Sequence, residues 1–314
     1  MAQGPDGSQK TRGEEREGKR GNELGIWFFK AFLRLFGLRG AYGLLYFVSL
    51  HYVLFDRLLV ASTLPYIRRR FPGCGLFEEH LHVYRLFVSQ GKQLIDRYAA
   101  VSGSAVFEIL FEGGDEVVSL IRNSQRGAIL LTSHQGNWQV AMTALQELGK
   151  TVYLVMVPDQ NPSMQKALYP DGEGGQLRVI SPERYLGGIV EILSVLRQGE
   201  VVSIMGDRGY GASAVEVSFL GDKAWFPYSA FSLAAAAECP LVVMETAKVS
   251  SHSYVVDMSN VLYPRYEGRK NRAGQLQPWV QEFVGQMERF VEKHPYQCFL
   301  FRDVWSQEDD GISV

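Results

Sequence analysis

The chain has 314 residues, is 46% hydrophobic and 21% charged, and carries a formal net charge of −2. That length fits one large domain or two ordinary ones, and the composition excludes a disordered chain. The near-neutral balance gives no global signal for nucleic acid. Three widely spaced cysteines, Cys74, Cys239 and Cys298, suit a reducing setting better than a disulfide framework.

Residues 1–24 are polar, glycine-rich and mixed in charge, and are expected to form a disordered tail. No short apolar core with a cleavage site follows, so this is not read as a signal peptide. From Gly25 to Arg39 the chain turns aromatic and basic. Trp27, Phe28, Phe32, Leu35 and Phe36 can share a wide helical face, with Lys30, Arg34 and Arg39 supplying charge, the pattern of helices that lie in a bilayer interface. Ala41 to Phe55 holds no Asp, Glu, Lys or Arg. It is shorter than the roughly 20 residues a spanning helix needs. Residues 25–60 are therefore expected to anchor the chain in the membrane surface rather than to cross it. Two ordinary core helices are the alternative. Basic residues on both sides leave the topology unassigned.

Residues 62–100 read as helical. Glu79 and His82 have the spacing of a di-iron ligand pair, but no second Glu-x-x-His occurs. Glu78, Glu79, His80 and His82 are expected on a solvated face. From about residue 105, apolar runs alternate with amphipathic ones. Strands are expected at 106–110, 128–131, 152–157, 201–205, 215–219, 241–246 and 254–258, and helices at 115–124, 137–149, 186–198, 228–238 and 275–293. The alternation predicts an α/β fold: a mostly parallel central sheet with helices on both faces, preceded by N-terminal membrane-associated helices. Three units follow: a polar tail (1–24), anchoring helices (25–60) and a catalytic domain (61–314).

Several chemistries lack their motif. Asp171-Gly-Glu-Gly-Gly175 has neither the setting nor the Lys-Ser/Thr of a P-loop. No Gly-x-Ser-x-Gly elbow occurs. No His/Cys cluster points to a metal, and no cofactor is expected.

The stretch that carries chemistry is Gly127-Ala-Ile-Leu-Leu-Thr-Ser-His134-Gln-Gly-Asn-Trp138-Gln139. A buried strand breaks at Thr132-Ser133 and a helix begins near Asn137. His134 therefore sits at a strand's C-terminal end, where open α/β sheets bind ligands. A histidine there can act as general base, since its ordinary pKa of about 6.5 lets it accept a proton near neutrality. It can also simply cap the turn. A second block, Gly206-Asp207-Arg208-Gly209-Tyr210-Gly211, ends another apolar strand. Arg208 can hold a phosphate or carboxylate, and Asp207 can brace Arg208 or His134. A strand-end salt bridge is the plain alternative.

His134-x-Gly-Asn-Trp138 after a strand resembles the first motif of the lysophospholipid acyltransferase superfamily, closest to the bacterial lipid A late acyltransferases. Gly206-Asp207-Arg208, Phe219-Leu220-Gly221 before Trp225-Phe226-Pro227, the strand opening at Pro240, and His294 to Trp305 follow in the same order. The resemblance covers roughly residues 25 to 305. It implies transfer of a fatty acyl group from acyl carrier protein or acyl-CoA to a hydroxyl of a lipid A-like or lysolipid acceptor. His134 would be the base, with Asn137, Trp138, Arg208, Phe219, Gly221 and Pro227 lining the substrate site. It also implies a place on the cytoplasmic face of the inner membrane, with the bilayer surface as partner.

One position departs from the pattern. The family's dyad places Glu or Asp five residues after the histidine, and here that residue is Gln139. An amide can orient an imidazole but carries no charge to stabilise its protonated form. Three readings stay open: Gln139 suffices, a carboxylate such as Asp207 replaces it, or the chain is a catalytically impaired lipid-binding or scaffold homologue.

Overall fold

A computed structural model describes residues 23–144, 148–157, 176–183, 188–208, 214–268 and 270–306. Residues 1–22 of the expected tail, the Asp171–Gly175 loop and Gly209-Tyr210-Gly211 lie outside the described residues, and the tail's last two residues, Glu23 and Leu24, are helical.

The first helix, α1, runs Glu23–Phe55 and bends at Gly37, whose φ of 64° and ψ of −166° belong to a region essentially reserved for glycine. The two N-terminal segments expected from the sequence are thus present, parted at Gly37 rather than after Arg39. Over Phe29–Phe55 it is long and apolar enough to cross a bilayer, the one such helix among the described residues. That stretch contains the break at Gly37. Part of α1 is also core: Leu33, Leu38, Ala41 and Leu45 pack with Ile95 and Ala99. The other side shows Leu35, Phe36, Phe47, Leu54 and Phe55 to the outside.

Two helices follow where one was expected, α2 (Arg57–Arg70) and α3 (Leu76–Val101), parted by residues 71–75. Of the four residues expected on a solvated face, Glu78 and His80 are exposed, and Glu79 and His82 are corrections. Glu79 is buried in an ion pair with Arg68 at 2.8 Å. His82 stacks on Phe71 and bonds to the Tyr296 hydroxyl at 2.8 Å.

The domain is then built in α/β order. The elements are β1 (Glu108–Glu112), α4 (Gly114–Asn123), β2 (Ala128–Thr132), α5 (Trp138–Ala144), β3 (Val152–Val155), β4 (Leu177–Ile180), α6 (Ile189–Arg197), β5 (Val201–Met205), β6 (Ala214–Phe219), β7 (Asp222–Pro227), α7 (Ser229–Ala237), β8 (Leu241–Lys248), β9 (Ser253–Leu262) and α8 (Arg272–Lys293). Seven strands form one sheet in the order β1-β9-β8-β2-β5-β3-β4. Every pairing in it is parallel except β8 with β9. Strand side chains alternate between faces. Ile129 and Leu131 of β2 pack with Ile192, Phe231, Phe283 and Met287 of α6, α7 and α8. Ala128 and Leu130 pack with Val117, Ile121 and Ala141 of α4 and α5. Both faces are covered, as a buried parallel sheet requires.

One expected strand of that sheet sits elsewhere. Val215–Phe219 belongs to β6, which pairs with β7 in a separate antiparallel hairpin turning at Leu220-Gly221. Gln277 and Gln281 of α8 bond to its backbone, and the Trp305 indole donates to the Phe219 carbonyl at 3.0 Å. The hairpin's apolar side closes the core rather than extending the sheet.

Candidate active site

β2 and β5 are neighbours with Thr132 opposite Met205. Each strand then runs two residues further, to His134 and to Asp207. Parallel register therefore brings these side chains together at the C-terminal edge, although they are 73 residues apart. The Gly206 N–H donates to the Thr132 carbonyl at 2.8 Å and extends the pairing to the turn.

Asp207 has a fully buried side chain. Its Oδ2 accepts the backbone N–H of His134 at 2.8 Å, and both carboxylate oxygens lie 3.0 Å from Nδ1 of the imidazole. Burial alone would push the Asp207 carboxyl up. The facing imidazole, its hydrogen bonds and the charge of Arg208 outweigh that and hold it below its ordinary value. The carboxylate is thus charged and aimed at Nδ1. The ring is left to present Nε2, and the His134 side chain is 23% exposed.

The loop after β2 is held on its other side by the C-terminal segment. Phe299 N–H donates to the His134 carbonyl and Gly136 N–H to the Gln297 carbonyl, both at 2.7 Å. The buried Gln135 amide donates to the Met287 carbonyl at 3.1 Å. Gly136 has φ 60° and lies against the Thr246 backbone, leaving no room for a Cβ.

His134, Asn137, Trp138, Gln139 and Arg208 line one cavity of about 190 Å³. Gln90, Gln93 and Leu94 of α3 close it, with Phe299 and Phe301 from the C-terminal segment. Gln139 reaches this cavity from the first turn of α5, and the imidazole nitrogen it was expected to serve is bonded to Asp207 instead. Asn137 is buried and donates to the Gln93 carbonyl at 2.9 Å and the Tyr254 hydroxyl at 3.4 Å, so it ties the loop to α3 and β9. Trp138 lines the cavity and also packs on the core beneath the sheet. Arg208 donates to the Phe299 carbonyl at 3.1 Å, while its Nε is buried without a partner.

Phe219, Gly221 and Pro227 are not brought to this cavity. Phe219 is fully buried, stacked on Trp305. Gly221 makes the hairpin turn with φ 84°. Pro227 ends β7, and the neighbouring Lys223 pairs with Glu216 at 2.7 Å. A tight turn joining two antiparallel strands describes the geometry of that stretch. The α3 residues were missed because an amphipathic helix carries no mark of which residues will face a cavity. Among the described residues, no group of three His, Cys, Asp or Glu is arranged to hold a metal.

A family model described as bacterial lipid A biosynthesis acyltransferase matches residues 100–307, from the end of α3 to just past Trp305. Comparison with curated proteins gives no match. The matched span contains the whole seven-stranded sheet, His134, Asp207 and the C-terminal segment that holds the loop between them. By that match the chain belongs to the bacterial lipid A biosynthesis acyltransferases, a family of enzymes that transfer acyl groups.

Proposed function

We propose that the protein moves a fatty acyl group from a thioester carrier to a hydroxyl of a membrane lipid, with His134 as general base and Asp207 as its carboxylate. The observation that carries this is the contact between the buried Asp207 carboxylate and Nδ1 of His134. It directs Nε2 toward the cavity. Nε2 takes the acceptor hydroxyl's proton as its oxygen attacks the thioester carbonyl carbon. The C–O bond forms, the C–S bond breaks, and the imidazolium returns the proton to the departing thiolate. Arg208, or backbone N–H groups at the start of α5, would stabilise the oxyanion. Asp207 stabilises the imidazolium without taking its proton. No covalent enzyme intermediate is needed.

Acyl carrier protein is the proposed donor, with acyl-CoA behind it. The proposed acceptor is a lipid A-like lipid or a lysolipid, in keeping with the lipid acceptor that the family implies. The exposed apolar side of α1 supports attachment to a bilayer, proposed as the cytoplasmic face of the inner membrane. The impaired-homologue reading rested on Gln139, and the charged carboxylate of Asp207 counts against it. The test is transfer of radiolabelled acyl groups from acyl carrier protein into membrane lipids, comparing the unaltered protein with His134→Ala. Label in a discrete lipid, lost by about 10²-fold or more in the variant, is the expected result. Equal transfer by both would overturn His134 as base.

A further inference from the structure

A second and larger cavity, of about 610 Å³, lies on the other side of α3 from His134. No residue lines both cavities. The partition is a side-chain hydrogen bond, Gln93 to Gln297 at 3.1 Å, with Gln93 facing one cavity and Gln297 the other.

The lining of this second cavity is one-sided in charge. Arg85, Lys92, Lys248 and Lys293 line it, and no Asp or Glu does. Lys248 is already neutralised, bonded to the buried Asp96 at 2.5 Å. Arg85 donates to the Tyr296 hydroxyl at 3.1 Å and Lys92 to the Tyr46 hydroxyl at 2.9 Å. Among the described residues Arg85, Lys92 and Lys293 have no carboxylate partner. Several uncompensated cations in one concavity attract an anion of more than one charge. The volume falls in the range of sites for organic ligands and far exceeds one inorganic ion. Tyrosine faces, with Val88 and Val249, offer surface for an organic substituent, and serine hydroxyls offer further donors.

We propose that this cavity is a second binding site, which holds the phosphoryl group of an organic phosphate ester between Arg85 and Lys92. A phosphomonoester carries nearly two negative charges at neutral pH and enough acceptor oxygens for several donors. A single carboxylate would leave the remaining cations unmatched. The ester has two possible sources, a soluble molecule or a lipid headgroup. Tyr46 belongs both to this cavity and to the partly exposed apolar side of α1. This site does not depend on the role given to His134.

The test uses the full-length protein in detergent with two probes. Coenzyme A is titrated calorimetrically, and flotation is measured on phosphatidylcholine vesicles with and without phosphatidic acid. Arg85→Gln with Lys92→Gln removes two charge-assisted contacts, and a loss of about tenfold or more is expected with one of the probes. Loss with coenzyme A assigns a soluble ester, and loss with phosphatidic acid assigns a headgroup. Arg85→Lys with Lys92→Arg keeps the charges and should retain binding, which separates this effect from misfolding. His134→Ala should bind as the unaltered protein does, so the catalytic assignment can fail while the site stands. Unchanged binding of both probes would overturn the proposal. So would an equal loss from Arg197→Gln with Lys223→Gln, two exposed cations outside the cavity.

Discussion

Nδ1 of His134 lies 3.0 Å from both carboxylate oxygens of Asp207, and Oδ2 of the same carboxylate also accepts the His134 backbone N–H. One carboxylate thus fixes both the ring and the main chain that carries it. Asp207→Asn keeps the shape but removes the charge, and its NH2 can face Nδ1 and favour the wrong tautomer. The equivalent change in a serine-protease triad costs about 10⁴-fold in turnover. A loss of about 10³-fold or more in kcat is expected here, with KM changing much less. Steady-state transfer from acyl carrier protein would show it, and a variant within tenfold of the unaltered enzyme would remove Asp207 from the mechanism.

Gln139 should matter far less. It lines the cavity without holding the imidazole, so Gln139→Ala should cost less than about tenfold, the scale of one neutral contact. Gln139→Glu should give no large gain, because the imidazole already has a carboxylate. A gain of about 10²-fold would mean that position 139 can take over as the partner of His134.

Every strand of the main sheet except β4, the helix order from α4 on and the separate strand ends carrying His134 and Asp207 were legible in the sequence, because buried parallel strands are short, apolar and bounded by turn residues. The partnership of those two residues was legible only as one alternative among several. It depends on β2 lying beside β5 in register, and local periodicity does not encode strand order. The hairpin was misplaced for a related reason. Val215–Phe219 has the composition of a sheet strand, and only its pairing with Asp222–Pro227 removes it from the main sheet. The break in α1 hides in a single residue: Gly37 takes a conformation that interrupts the helix two residues before the boundary the sequence suggests.

Gly136 tests how tightly the loop is seated. A methyl group there would collide with the Thr246 carbonyl, and the residue's φ of 60° already disfavours a side chain. Gly136→Ala is expected to cost about 4 kcal/mol or more, in the range that backbone strain and overpacking reach together. Denaturant unfolding is the measurement. A midpoint close to that of the unaltered protein would show that β8 can move aside.

Glu245 gives a pH dependence away from the site. Burial first, then the facing Asp257, pushes its carboxyl up to about 8, against the pull of Arg289 and Lys293. Its pKa in the folded state is thus raised above the ordinary 4.5, and the folded protein holds a proton that the unfolded chain releases. Stability should therefore fall as pH rises between these values and level off above about 8. Glu245→Gln mimics the protonated form. Its melting temperature should match the unaltered protein near pH 5 and exceed it at pH 8.5. A gap that is equal at both pH values would show that Glu245 does not titrate in this window.

The outer side of α1 should decide membrane attachment without touching the fold. Leu33, Leu38, Ala41 and Leu45 hold the helix to α3, whereas Phe47 is 75% exposed and Leu54 61%. Charges at the latter two positions remove no core contact, so Phe47→Glu with Leu54→Glu should leave unfolding within about 1 kcal/mol of the unaltered protein. In a bilayer the same charges are costly, about 2.5–3.5 kcal/mol each at the centre of a spanning helix and less at the interface. The double variant should therefore lose most of its flotation with vesicles. Deleting all of α1 would be a poorer experiment, because it strips the cover from Ile95 and Ala99 and confuses release from the membrane with loss of the fold. Full flotation of a normally folded double variant would mean that this side of α1 faces another protein surface rather than lipid.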